Sequence, residues 1–329
     1  MTTIAGELAR CVAAAGWAAA PPGDPQTADE YLLVLRHLYG VGRRDLPIGR
    51  LLEGHVDAVQ IVLRYGEPHQ VAKLREQLGQ GATLGVWNAG LPHEPLVLAG
   101  DRLSGGKSYA SGAGVLTHAL VTAQTDQGPQ LLLLDLAQVP PAIDNQWWRT
   151  LGMERSETHR VRWADAPVRP DDAIGEPGSY AREPFFSGGA LRFVAVHAGG
   201  IAGLLDATRV HLVAADRADD PFQAARLAEL FMLAQGAAAT VRHAAETWFE
   251  EPEPAQLTRV AAARLSVAAA GERAIAVAQE AVGLQGLFLS HPLAAQLADL
   301  MVYLRQPAPD TQRLRVGKAV AGHTLDPVL

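Results

Sequence analysis

Apolar positions in the first quarter of the chain return every three or four residues, the spacing of one face of an α-helix. Tyr31, Leu32, Leu35, Leu38 and Tyr39 form one such stripe, and Val56, Val59, Ile61, Val62 and Leu63 form a second. Pro21-Pro-Gly-Asp-Pro25 and Asp45-Leu-Pro47 with Gly49 interrupt the pattern where helices must stop or restart. A helical domain over residues 1–82 follows from these positions.

At Gly79-Gln-Gly81 the period changes to short apolar runs bounded by Gly, Pro or Asp. Residues 84–87, 96–99, 116–123 and 131–136 read as strands, and 161–163 as a last strand leaving through Asp165, Pro167 and Val168. Gly105-Gly106 and Gln127-Gly-Pro129 read as hairpin turns. Strands this close together, with no helix between them, predict a compact antiparallel sheet or barrel over 83–182 rather than a parallel sheet with crossover helices. Helical periodicity then returns over 191–215, 222–249, 257–284 and 292–305, predicting a four-helix bundle within 183–329. Ala198, Gly199, Gly200, Ala202 and Gly203 would let these helices approach closely, and alanine on more than one helix face predicts subunit contacts. The predicted fold class is α+β.

Composition narrows the function classes. The 329 residues are 48% apolar and 19% charged, enough for two or three subdomains sharing an interior. A formal charge of −7 without long runs of one sign argues against nucleic acid as the partner. Cys11 is the only cysteine, which excludes an intramolecular disulfide and a cysteine zinc site and fits a reducing, cytoplasmic compartment. The apolar run 12–20 is too short to span a bilayer, so no membrane partner is expected. His55, His69, His93 and His118 lack metal-ligand spacing, and no metal is expected.

Several motifs carry a resemblance. Arg155-Ser-Glu-Thr-His-Arg-Val-Arg-Trp-Ala-Asp-Ala-Pro-Val168 leads to Ile174-Gly175, and Gly200-Ile-Ala-Gly203 lies at the start of the bundle. Arg217, Gln223 and Arg226-Leu-Ala-Glu-Leu230 follow, then Gly283-Leu-Gln-Gly286, Pro292-Leu293 and Ala298-Asp-Leu300. In this order, on a helical, β and bundle frame, they resemble the acyl-CoA dehydrogenase family. The resemblance implies FAD against the β-domain, with its adenosine diphosphate part held by the bundle of a neighbouring subunit in a homodimer or homotetramer.

Residue by residue, Lys107-Ser-Tyr-Ala-Ser111 matches the strand beside the flavin ring, with Ser111 as the hydroxyl counterpart and Tyr109 beside it. Trp87 and Asn88 fall in the other flavin-facing loop, where Asn88-Ala89 stands in place of a Thr-Glu pair. Arg217 aligns with the arginine for the pyrophosphate, followed by Gln223; Gly283 and Gly286 approximate a glycine-rich phosphate loop, with Val282 in place of its first glycine. Read without the resemblance, Ser111-Gly-Ala-Gly114 is a strand-end turn and Arg217 a solvated charge.

The family abstracts a substrate α-proton with a glutamate, and that position falls here on Gln306, whose amide cannot take a proton. A second family position for the base falls near Phe193. Asp310, the nearby carboxylate, is the alternative catalytic residue, as a displaced base, and is also readable as an N-cap for a helix over 311–320. The resemblance thus implies an FAD-dependent oxidoreductase acting on an acyl thioester or related small molecule, with an electron-transfer partner. A catalytically inactive scaffold or partner subunit, and a flavin oxidase or monooxygenase on the same fold, are the alternatives.

Overall fold

The computed structural model describes residues 3–327. Four helices come first: α1 (Ile4–Ala14), α2 (Ala28–Arg44), α3 (Leu46–Tyr65) and α4 (Pro68–Gly79). Their ends are set by short polar side chains. The hydroxyls of Thr3 and Thr27 accept from the backbone N–H groups of Gly6 and Glu30, starting α1 and α2. Asp45 ends α2, and its carboxylate accepts from the Ile48 N–H at 3.0 Å to open α3.

The strands are β1 (Leu84–Trp87), β2 (Val97–Ala99), β3 (Arg102–Ala110), β4 (His118–Thr125), β5 (Gly128–Asp135), β6 (Ala142–Asp144), β7 (His159–Pro167) and β8 (Ala173–Ile174). They form one sheet in the order β6-β7-β3-β2-β4-β5-β8, with β1 beside β4. Most pairings are antiparallel, as the spacing predicts, but β1 and β2 each pair parallel to β4. Asp126 and Gln127 turn the β4–β5 hairpin, and Thr125 faces Gly128 across it.

Gly105-Gly106 is not a turn, which corrects the hairpin expectation: both lie inside β3, which pairs with β7 through a register shift between Leu103 and Gly105, where Gly105 has φ +104°. The physical reason is crowding. A Cβ on Gly105 would overlap the carbonyl oxygen of Pro95, and one on Gly106 would come within 2.7 Å of the Val161 carbonyl oxygen. Glycine inside a strand often marks a bulge or a close backbone approach.

The C-terminal part comprises a short α5 (Phe185–Gly188), then α6 (Ala190–Ala214), α7 (Pro221–Glu246), α8 (Glu253–Val282), α9 (Pro292–Tyr303) and α10 (Pro309–Ala321). The segment Phe185–Ala214 is long and apolar enough to cross a membrane by composition, yet 83% of its most apolar window is buried inside the protein. It is the central helix of this part.

Contacts divide the chain into two compact units. One holds the residues up to Pro25, Arg50–Arg149 and Glu154–Arg182; the other holds Gln26–Gly49, Thr150–Met153 and the chain from Glu183 onward. In the first, Val59, Val62, Leu74 and Leu78 of α3 and α4 bury themselves against Leu84, Leu120, Leu131 and Ile174 of the sheet. Each such side chain contributes about 1.5–3 kcal/mol.

In the second unit the glycines of α6 meet α2. A Cβ on Gly199 or Gly203 would overlap the carbonyl oxygens of Tyr39 and Arg43, and one on Gly42 would overlap that of Val196. The small-residue run therefore sets a tight α2–α6 crossing, fastened by Arg43, whose guanidinium donates to both oxygens of Asp206 at 2.6 and 3.0 Å. Asp299 of α9, in the Ala298-Asp-Leu300 motif, accepts from the Met153 N–H and so anchors the segment Thr150–Met153.

Candidate active site

In the first unit the chemistry gathers where β3, β4 and the segment after β1 meet. Lys107 lies in a buried stretch of β3 and is 4% exposed. Its ammonium donates to the carbonyl of Asn88 at 3.1 Å and to Thr122 Oγ1 at 2.8 Å. Burial pulls its pKa down to about 8, because the charged form is the one that loses hydration. The Thr122 hydroxyl in turn donates to Asn88 Oδ1 at 2.9 Å. Asn88 is itself exposed, so this relay engages its amide oxygen and leaves the NH2 group as the outward donor. The neighbouring loop is sewn to β3 as well: Ser108 N–H donates to the Ala89 carbonyl at 2.9 Å, and its hydroxyl to the Gly90 carbonyl at 2.7 Å.

Ser111 lies at the end of the same strand, buried, and Thr158 Oγ1 donates to its Oγ at 3.0 Å. Thr158 is paired with Ser156 at 2.7 Å, so the three hydroxyls form a chain. Because Ser111 is the acceptor, its own proton remains to be donated. Trp87 is buried, and its indole N–H donates to the Ser111 carbonyl at 2.9 Å, which makes it a brace for Ser111 rather than an open ring face. Tyr109, between them, has φ +52° and is 56% exposed. Its ring meets Trp147 edge-on at 4.9 Å and Trp148 at 6.2 Å, and Arg160 sits over Trp147 at 4.7 Å. Tyr109 and Ser111 thus lie at the end of β3, and Asn88 is tied to the same strand through Lys107.

In the second unit a different cluster forms around Arg264 of α8. The guanidinium stacks over Phe193 of α6 at 5.3 Å and donates to the Pro307 carbonyl at 2.9 Å. Gln306, next to that carbonyl, donates its Nε2–H to the Tyr303 carbonyl at 2.9 Å. Tyr303 is buried and meets His197 edge-on at 4.4 Å, and His197 lies 5.4 Å from Phe193. Phe193 and Gln306, far apart in sequence, are therefore brought to one place, and the charged group there is a cation. Burial lowers the Arg264 pKa below its ordinary value.

Asp310 does not cap α10 as expected: Ala308, with φ +56°, occupies that position. Asp310 lies in the first helical turn, exposed, paired with Arg313 at 2.8 Å. Its charge there suits the positive helix end, a role open to any first-turn carboxylate.

Arg217 is exposed beyond the end of α6, its backbone N–H bound to the Leu212 carbonyl at 2.8 Å. Gln223 is buried at the start of α7, where Asp220 caps the helix, and its side-chain oxygen has no hydrogen-bond partner among the described residues. Gly283, at φ +73°, ends α8 with open space around it, whereas a Cβ on Gly286 would press on Val282 and Leu293. Gly283 can admit a ligand; Gly286 is a packing glycine. Sequence reasoning missed the Lys107–Thr122 relay, the Trp147–Trp148 pair and Arg264. An inward lysine in a strand and two adjacent tryptophans were visible signals; nothing local marked Arg264.

No family model matches the chain. A dibenzothiophene monooxygenase of Mycolicibacterium goodii is 24% identical over 241 residues, covering 63% of this chain and 58% of that protein's length. The dibenzothiophene monooxygenase TdsC of Paenibacillus sp. A11-2, in complex with FMN and indole, superposes with a TM-score of 0.77 at 18% identity, covering 97% of this chain and 96% of that one. Glutaryl-CoA dehydrogenase from Mycobacterium smegmatis superposes with a TM-score of 0.78 at 14% identity, over 95% of this chain and 86% of that one. The protein has the acyl-CoA dehydrogenase fold.

Proposed function

We propose that the protein is a flavin-dependent oxidoreductase whose reaction does not begin with proton abstraction by a carboxylate, and that it works as a monooxygenase. One observation carries this: Gln306 and Phe193, the two positions where the resemblance puts the base, lie together around Arg264 with no carboxylate paired to it among the described residues. A guanidinium and an amide there cannot accept the α-proton of a thioester. The similarity to dibenzothiophene monooxygenases supports an oxygen-using reaction over dehydrogenation.

The residues present fit a flavin. Asn88 offers an oriented amide donor, Ser111 a hydroxyl, and Tyr109 with Trp147 an aromatic edge; these would hold the ring. The resemblance gives the phosphate side to the bundle of a neighbouring subunit, and there the unpaired oxygen of Gln223, the exposed Arg217 and the open backbone at Gly283 are the groups available. A bound flavin supplies two-electron transfer and, once reduced, reactivity toward dioxygen. FAD is the flavin that the resemblance implies, and FMN is the one TdsC holds. Exposed Val210, Val213, Phe222, Phe231 and Met232 on α6 and α7, with Leu289 beyond α8, support self-association as a dimer or tetramer, which light scattering tests.

The decisive experiment is to purify the protein, extract and identify any flavin, and follow oxygen uptake by the reduced protein with and without indole. Flavin retention with indole-stimulated uptake and an oxygenated product is expected. A colourless protein that takes up neither FAD nor FMN would remove the enzymatic reading and leave the partner-subunit one.

A further inference from the structure

Three arginines lie on α8, and two of them are compensated. Arg259 donates to Glu251 at 2.6 Å, and Arg273 to Glu229 at 2.6 and 3.1 Å. Arg264 has no carboxylate within 4.0 Å among the described residues. Its partners are one carbonyl, that of Pro307, and the face of Phe193. The guanidinium carries five N–H donors in a rigid fork, so most of that fork is left for something else. Arg264 is half-buried, so its free N–H groups are partly withdrawn from water and an anion that met them would replace the hydration they have lost. The Pro307 bond and the Phe193 stack fix the plane of the fork, so the missing partner is planar and bidentate.

We infer that Arg264, held between Phe193 and the Pro307 carbonyl, is a binding site for the carboxylate of a small organic acid. Identifying that acid with the substrate rests on the flavin-dependent reading above; the binding does not. In place of a protein carboxylate facing a neutral substrate, this end of the bundle presents a protein cation to an acidic ligand. The neighbouring Phe193 ring favours an acid with an aromatic or flat apolar body.

The probes are benzoate and benzamide, alike in shape and different in charge, titrated calorimetrically into the full chain both as purified and after flavin loading. Benzoate is expected to bind about tenfold or more tightly than benzamide, with affinity falling as salt rises. Arg264→Met keeps the apolar stem and should abolish the preference; Arg264→Lys should restore only part of it, since an ammonium cannot form the fork. Equal binding of the two probes, or no benzoate binding to the unsubstituted protein, would overturn the inference whatever the variants do. So would a preference that survives in a folded Arg264→Met protein, with folding checked by circular dichroism. Failure to bind any flavin would sink the reading of function, while the benzoate preference of the flavin-free protein would still decide this one.

Discussion

Lys107, buried in the sheet unit, and Arg264, half-buried in the bundle unit, are two cations without a carboxylate partner among the described residues, and they differ in what surrounds them. Both are pulled down in pKa by burial. Lys107 is enclosed by acceptors: a carbonyl, a hydroxyl, and behind them the amide of Asn88. Arg264 has one carbonyl and one ring. A polar group whose partners are supplied from within is scaffold, and what it orients is the outward-facing end of the chain of bonds. A polar group whose partners are missing is where a ligand is expected. Within its own unit, each cation is thus read by what surrounds it: Lys107 as part of the scaffold, Arg264 as an open donor.

The comparison can be broken most severely at Trp87, which braces Ser111. Trp87→Ala should cost about 3–5 kcal/mol of stability, read as a shift of the urea midpoint; a loss under 1 kcal/mol would show that this end of β3 does not depend on the brace. His55 tests the same unit through pH. Its Nδ1 accepts from the Leu84 N–H at 3.1 Å, and burial lowers its pKa from 6.5 to about 4. Between those values the unfolded chain binds the extra proton, so stability is full above pH 6.5 and falls as pH drops toward 4, by about 3 kcal/mol. His55→Asn keeps an acceptor and should flatten that slope; an unchanged slope would assign the proton elsewhere.

Thr122→Val severs the relay without removing Asn88. Flavin affinity, read by fluorescence titration, should weaken by about tenfold while the fold loses only about 1 kcal/mol. Unchanged affinity would mean that Asn88 needs no orientation. The smallest effect is expected at Asp310, whose exposed pair with Arg313 contributes at most about 0.5 kcal/mol. Asp310→Asn should leave both stability and turnover nearly untouched, and a large loss of turnover would restore it as a displaced base.

Much of the frame was legible because it follows period. The stripes at Tyr31–Tyr39 and Val56–Leu63 became α2 and α3, and the apolar runs became β1, β2, β4 and β5. Gly105-Gly106 misled because a glycine pair signals either a turn or a crowded backbone, and only the neighbouring Pro95 and Val161 decide which. Ser111 and Asn88 could be placed by motif, but the Thr122 and Thr158 bonds that orient them come from other strands. Arg264 was invisible for the same reason: its meaning lies in a missing partner, and a sequence shows which charges exist, not which are paired.

On the proposed reading, no described residue of the bundle serves as a base toward an acyl thioester. The most direct test of that reading is anaerobic mixing of the flavin-loaded protein with a series of acyl-CoAs of different chain length, watching the flavin absorbance. The flavin should stay oxidised with every one. Rapid bleaching by any of them would show that a base is present, and that the cluster of Gln306, Phe193 and Arg264 has been misread.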